Sequence, residues 1–404
     1  MAAIFPFPAL RPVPQAASAV AAVPYDVVST DEARALAATN PLSFLHVSRA
    51  EIDFPPGTDP YSDQIYERAN ENFRDLRARA PLVVEDTPSF YAYRLQMGSH
   101  VQAGIAACFS LDEYDAGTIK KHEKTRPDKE DDRTKHMLAI SAQTGPVLLT
   151  YPASPAVDHI VERSIRQEPL FDFEAPDGVR HAIWRIGDED SGALVQGFAA
   201  IASLYIADGH HRAASAARTR RALDGRGPGE QDRVLAVAFA DNQMKILPYN
   251  RVVRDLNGLS AGQFLEALRS RATVSEDGSG TPRGKGHVDL YLQGRWYSLQ
   301  FGPTPDATDA AGALDVSRLQ DAVLSPILGI HDVRMDTRID FVAGSRGAAE
   351  LQRLVESGRF AAAFSLHPVT IGDLMSIADC GGIMPPKSTW FEPKLRDGLL
   401  SHLI

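Results

Sequence analysis

Cysteine is almost absent. The 404 residues hold two, Cys108 and Cys380, far apart and without a partner motif, which excludes a disulfide framework and a Cys-type zinc site and fits a reducing cytoplasm. Long apolar runs are lacking too. None approaches the roughly 18 uninterrupted apolar residues of a membrane span. The opening MAAIFPFPALRPVPQ has no charged region ahead of an apolar core, and its prolines would break a signal helix. The expectation is a cytoplasmic protein that does not engage membranes. Positive charge is in deficit: 42 Lys and Arg against 52 Asp and Glu give a formal net charge of -10, so nucleic acid is not an expected partner. Three familiar fingerprints are missing as well. GSGTPRGKG at 278–286 has the wrong glycine spacing for a Walker loop and puts Gly286 where Ser or Thr would meet magnesium; HEKTR at 122–126 puts Arg126 where the second His of a zinc helix would stand. No Gly-rich strand–helix junction carries the dinucleotide fingerprint, so a nicotinamide enzyme has no support.

What is present is the composition of a globular protein, 44% hydrophobic and 23% charged. The length exceeds one ordinary core, so more than one packed unit is expected. The segments that suggest themselves are 1–85, a mixed N-terminal part; 86–245, a core; and 246–404, a further α/β domain. Ser29 or Thr30 reads as the cap of an Ala-rich helix. Residues 61–79 read as a surface helix, and the two apolar runs around Gly98-Ser99-His100 as a hairpin. A helix is expected over 129–142 and strands over GPVLLTYP, HAIWRI and RVLAVAFA, with a hairpin turning at Gln293-Gly294 and a flexible loop over 278–286. Strands and helices mix without strict alternation, which predicts an α+β fold with mixed sheets.

Chemistry concentrates in four places. In LYIADGHHRAA, an apolar run over 199–207 reads as a buried strand and opens into a helix at Arg212. Such a junction aims backbone N–H groups at an anion, Gly209 permits close approach or positive φ, His210, His211 and Arg212 supply donors, and Asp208 could hold a metal ion or a hydroxyl proton. The alternative is that Asp208 caps the helix. In HEKT, Glu123 could act as general base, with Lys121, Lys124 and Arg126 neutralising phosphate; otherwise the run is a solvated face. Lys387, Ser388 and Thr389 could contact a phosphate or ribose, or belong to a tail docked by Trp390 and Phe391. Asp26 in PYD is a helix cap or a polar pocket residue, the cap being the favoured reading.

The segments FPFPALRP, VPYDVVS, HEKT, LYIADGHHRAASA, ILPYNRVVRDL and MPPKSTWFEPKLRDGLL, in that order, resemble the family known as domain of unknown function 1015. The DGHHR junction is also similar to the phosphate-binding element of the ParB/sulfiredoxin superfamily, which includes free-serine kinases. This resemblance implies a ParB/sulfiredoxin-like core and a small-molecule kinase. Asp208, Gly209, His210, His211 and Arg212 would then bind donor phosphates and Mg2+, with Asp208 as metal ligand. His122, Lys124, Lys387, Ser388 and Thr389 would join the donor site, and Glu123 would deprotonate the acceptor. The donor would be ATP, ADP or pyrophosphate, and the acceptor a small hydroxyl metabolite such as serine. A nucleotide-binding regulatory protein without turnover is the alternative. Asn250 stands where the family often has His, and the sulfiredoxin Cys is missing from the run. The oligomeric state stays open.

Overall fold

A computed structural model describes residues 1–79, 82–224, 227–302 and 309–404. They form two compact units in an α+β fold, where three segments were expected. Unit 1 comprises Met1–Lys121, Thr125–Met244 and Pro393–Ile404; unit 2 comprises His122–Lys124 and Lys245–Glu392. The first 85 residues are no separate body, because their apolar side chains share unit 1. The last twelve return to unit 1, drawn back by backbone pairing.

Unit 1 is built on a nine-stranded mixed sheet. Its strands are β1 (Ile4–Phe5), β2 (Tyr91–Met97), β3 (His100–Ser110), β4 (Ile119–Lys120), β5 (Val147–Tyr151), β6 (Phe171–Glu174), β7 (Val179–Arg185), β8 (Leu204–Asp208) and β9 (Arg233–Ala240). The order is β4-β8-β5-β9-β3-β2-β7-β6, with β1 beside β3. The β2–β3 hairpin turns where expected, with Met97 opposite His100. The apolar run read as a strand over 199–207 is split: Asp188–Ala199 is helical and the strand begins at Leu204. One face of the sheet, through Ile105, Ala107, Leu149, Ile206 and Ala236, packs into the main core. Alternation along the strands places these side chains together.

Three helices of unit 1 carry residues used below. Helix α1 (Thr30–Ala37) starts at a Ser29–Glu32 capping box, α2 spans Asp63–Arg79 and α3 spans Pro127–Ile140, with proline at its start where a missing N–H costs nothing. Helices α1 and α2 bury Ala33, Ala37, Ile65, Ala69 and Phe73 in a second core. Helix α4 (His210–Ala222) follows β8 directly. Its Ser215 hydroxyl donates to the Glu130 carbonyl of α3 at 3.1 Å, and Tyr66 of α2 donates to Asp132 at 3.0 Å.

Unit 2 holds a six-stranded antiparallel sheet of β10 (Tyr249–Val253), β11 (Ala272–Ser275), β12 (His287–Leu292), β13 (Arg295–Phe301), β14 (Ile339–Ala343) and β15 (Ala362–Leu366), in the order β11-β13-β12-β15-β10-β14. The β12–β13 turn uses Gln293 at φ 48° and Gly294 at φ 79°, the positive angles a two-residue hairpin demands. The loop over 278–286, expected to be flexible, is tied down: Ser279 and Gly280 N–H groups each donate to Asp289 at 2.9 Å. No helix among the described residues is long and apolar enough to cross a membrane.

Candidate functional site

The strand β8 ends at Asp208, and the chain turns into α4 through Gly209 at φ 98°. The cap position falls on Gly209 and no side chain caps this helix, so the capping alternative for Asp208 is set aside. Its carboxylate serves other partners. Oδ2 lies 3.3 Å from Arg212 Nη2 and 3.3 Å from Lys394 Nζ. Burial alone would raise the Asp208 proton affinity, but Lys394 and then Arg212 outweigh it and hold the carboxyl well below the usual range.

Arg212 is 5% exposed. Its Nη1 donates to the Pro146 carbonyl and its Nη2 to Asp208, while the buried Nε has no hydrogen-bond partner among the described residues. A Cβ built on Gly209 would come within 2.9 Å of that Nε. Glycine is therefore required twice here, for the left-handed angle and for the open space in front of Arg212. The first amides of α4 have no intrahelical acceptors, by the geometry of any helix, and carry the positive end of its dipole.

The two histidines differ. His210 is buried. His211 Nε2 accepts the Arg126 backbone N–H at 3.1 Å, so that nitrogen is unprotonated in this arrangement and the ring's proton sits on Nδ1. His211 thus offers one ring donor in this arrangement.

The C-terminal segment completes the cluster. Ala22 and Asp397 exchange backbone hydrogen bonds at 3.2 and 2.9 Å, and Leu10 pairs with Ser401. This lattice sets Lys394 beside Asp208 and buries Asp397 to 3% exposure. A Cβ on Gly145 would meet Asp397 Oδ1 at 2.6 Å, so only glycine leaves room for this carboxyl. Burial pushes Asp397 up to about 7; Arg212 opposes the rise, Asp26 adds to it, and Arg133 and Arg396 oppose it. A carboxyl in that range can hold or release a proton near neutral pH. Asp26, favoured as a cap, is not one, because Ser29 caps α1; it is exposed and acts on Arg212 and Asp397 through its charge. Arg133, which pairs with Asp132 at 2.9 Å, stacks 4.3 Å from the Tyr25 ring centroid.

Of the other expected residues, Lys121 and Arg126 belong to unit 1, while His122, Glu123, Lys124, Lys387, Ser388 and Thr389 belong to unit 2. His122 is buried and its carbonyl accepts Met384 N–H at 2.8 Å; Glu123 is half-buried and Lys124 exposed. Lys387 has φ 58°, Ser388 donates to the Pro385 carbonyl at 2.6 Å, and Phe391 is buried beside Trp390, whose ring sits 5.2 Å from Tyr249. Asn250 pins β10 to β15 through an N–H···O bond from Leu366 at 3.0 Å. Asp208, His210, His211 and Arg212 are therefore assembled in unit 1, while the HEKT and KST groups lie in the other unit. Among the described residues no three His, Cys, Asp or Glu side chains cluster as metal ligands. With Oδ2 committed to two cations, Asp208 does not fit a magnesium ion held by the protein alone. Lys394, Arg396, Asp397 and Arg133 were missed by sequence reading; the dense charge of PKLRD inside an otherwise apolar ending was the available signal.

A family model described as protein of unknown function (DUF1015) matches residues 4–317. The chain belongs to this family. No curated protein matches it. Among solved structures, it is similar to a conserved hypothetical protein from Pyrococcus furiosus at 15% identity, covering 74% of this chain and 95% of that one with a TM-score of 0.37. A free serine kinase in complex with AMP aligns at 14% identity over 73% of this chain and 92% of that one, TM-score 0.38. SbnI with C-terminal truncation from Staphylococcus aureus aligns at 13% identity over 74% and 87%, TM-score 0.40.

Proposed function

We propose that this DUF1015 protein is a phosphotransferase that binds a donor's phosphate at the β8–α4 junction and transfers a phosphoryl group to the hydroxyl of a small metabolite. The observation that carries the reading is Arg212: a buried guanidinium with an unpartnered Nε, at the start of a helix, behind a glycine that leaves the space open. A phosphate oxygen in that space would satisfy Nε and meet the first-turn amides, an arrangement suited to anions.

Phosphoryl transfer is mainly positioning and charge neutralisation. In this proposal Arg212, His210 and His211 hold the phosphates, and Lys394 and Arg212 keep Asp208 ionised. Glu123 takes the acceptor's proton as the acceptor oxygen forms its bond to phosphorus and the bond to the donor's bridging oxygen breaks. The products are the phosphorylated metabolite and the shortened donor. The role of Glu123 and the contributions of His122, Lys124, Lys387, Ser388 and Thr389 come from the family resemblance. ATP, ADP and pyrophosphate are the donors to test, and serine the first acceptor. Magnesium would neutralise charge between the donor's phosphates, entering with them.

The test is a thermal-shift series with ATP, ADP, pyrophosphate and phosphate, each with and without magnesium, on wild type and Arg212→Ala. Saturation near 100 times Kd stabilises by about 2.7 kcal/mol. A shift in wild type that shrinks in Arg212→Ala supports the site; equal shifts in the two proteins, or none in either, overturn it. Product formation from serine, absent in Glu123→Gln at unchanged donor affinity, would separate a kinase from a binding protein without turnover.

A further inference from the structure

Arg251 of β10 is 2% exposed, one of the largest fully buried side chains in the protein. Its Nη1 donates to the Tyr249 carbonyl and its Nη2 to the Pro386 carbonyl at 3.3 Å, and the guanidinium lies 5.4 Å from the Phe341 ring centroid. Those acceptors are neutral. Among the described residues no carboxylate pairs with it. Other buried guanidiniums are matched: Arg212 by Asp208, Arg133 by Asp132, Arg396 by Asp177. Burial lowers the Arg251 proton affinity to about 9, with only Tyr249 opposing.

A buried charge without a counter-charge is a standing cost that an apolar side chain of similar size would remove. Retaining arginine here makes sense where something else supplies the negative charge. The surroundings suit that. Lys387 follows the Pro386 that accepts from Arg251, and its ammonium sits 5.4 Å from the Tyr249 ring centroid. Ser388 closes the loop onto Pro385 and is itself buried. Two cations therefore meet Tyr249, Arg251 of β10 at its carbonyl and Lys387 at its ring, the latter from a loop that Ser388 ties to Pro385.

We propose that unit 2 carries its own anion-binding centre at Arg251 and Lys387, which takes a compact oxyanion, a phosphoryl or carboxylate group of a small ligand, as the counter-charge Arg251 lacks. The centre draws on Lys387, which the family resemblance also assigns to the donor site, but rests on Arg251 and not on Arg212, so each site can fail without the other.

The experiment titrates full-length protein with inorganic phosphate, pyrophosphate or sodium formate at ionic strength held constant with sodium chloride, reading melting temperature and Kd. Arg212→Ala should keep an oxyanion-dependent rise in melting temperature. In that Arg212→Ala background, adding Arg251→Met should abolish the rise while melting no lower than Arg212→Ala without ligand, and adding Lys387→Ala should weaken binding about tenfold, the loss of roughly one charge-assisted contact. Phosphate against formate tells a phosphoryl site from a carboxylate site. A rise that persists in the Arg212→Ala/Arg251→Met double variant, or no rise with any oxyanion in Arg212→Ala, overturns the proposal. If the Arg251→Met double variant does not fold, Arg212→Ala/Lys387→Ala decides: tenfold weaker binding supports the centre, and unchanged affinity overturns it.

Discussion

Asp208 and Lys394, 186 residues apart in the chain, meet at 3.3 Å. The pair joins the end of β8 to the C-terminal segment, and the Lys394 side chain is 11% exposed. Removing Lys394 leaves the Asp208 carboxylate to Arg212, with half of its compensating charge gone.

Lys394→Met should therefore destabilise the protein by about 2–3 kcal/mol, less than a fully buried pair would lose because Asp208 is partly solvated. Urea denaturation monitored by circular dichroism reads this directly. A midpoint unchanged from wild type would show the pair to be energetically idle.

Gly209→Ala tests the backbone. Forcing an alanine to φ 98° and placing its Cβ 2.9 Å from Arg212 Nε should cost about 2 kcal/mol. Phosphate-dependent stabilisation should fall to what Arg212→Ala retains. Retention of the full wild-type stabilisation would mean the anion does not occupy the space in front of Arg212.

Asp397 makes a prediction in pH. Its folded value of about 7 lies above the unfolded value near 3.8, so between those limits the folded state binds more protons than the unfolded state, and stability from this group falls as pH rises. The loss is complete above about pH 7. Asp397→Asn should match wild type near pH 4 and exceed it at pH 8, by at most about 4 kcal/mol. Equal pH slopes in the two proteins would show that Asp397 is not held protonated.

His46 should act at higher pH. Its Nδ1 meets Asp53 Oδ1 at 2.7 Å, and Asn72 donates to the other Asp53 oxygen at 2.7 Å. The bond to Asp53 raises the imidazole's proton affinity above its usual 6.5 against the effect of burial. The stabilisation is fully present below about pH 6.5 and is lost as pH rises through the higher folded value. His46→Gln should flatten that decline in urea midpoints between pH 6 and 8; an unaltered decline would place its cause elsewhere.

Local patterns were readable wherever neighbours in sequence are neighbours in space. The capping box at Ser29, the hairpin at Gln293-Gly294 and the turn from strand to helix at DGHHR each depend on a few consecutive residues, and each formed. The apolar stretch before Leu204 misled because a buried helix and a buried strand are equally apolar over a short window. The dense charge of PKLRD was the one hint at Lys394 and Asp397, and nothing within that segment signals the partners that β8, α3 and Ala22 supply.

The sequence by itself determined the family, the mixture of strands and helices, and the turn from strand to helix at DGHHR, because those rest on composition, order of motifs and local backbone chemistry. Tertiary structure alone decided which charges are paired. It gave Asp208 its two cations, left Arg212 Nε without a hydrogen-bond partner and Arg251 without a carboxylate among the described residues, and lifted Asp397 toward neutral pH, because proton affinity and ion pairing depend on burial and on distances between groups remote in the chain.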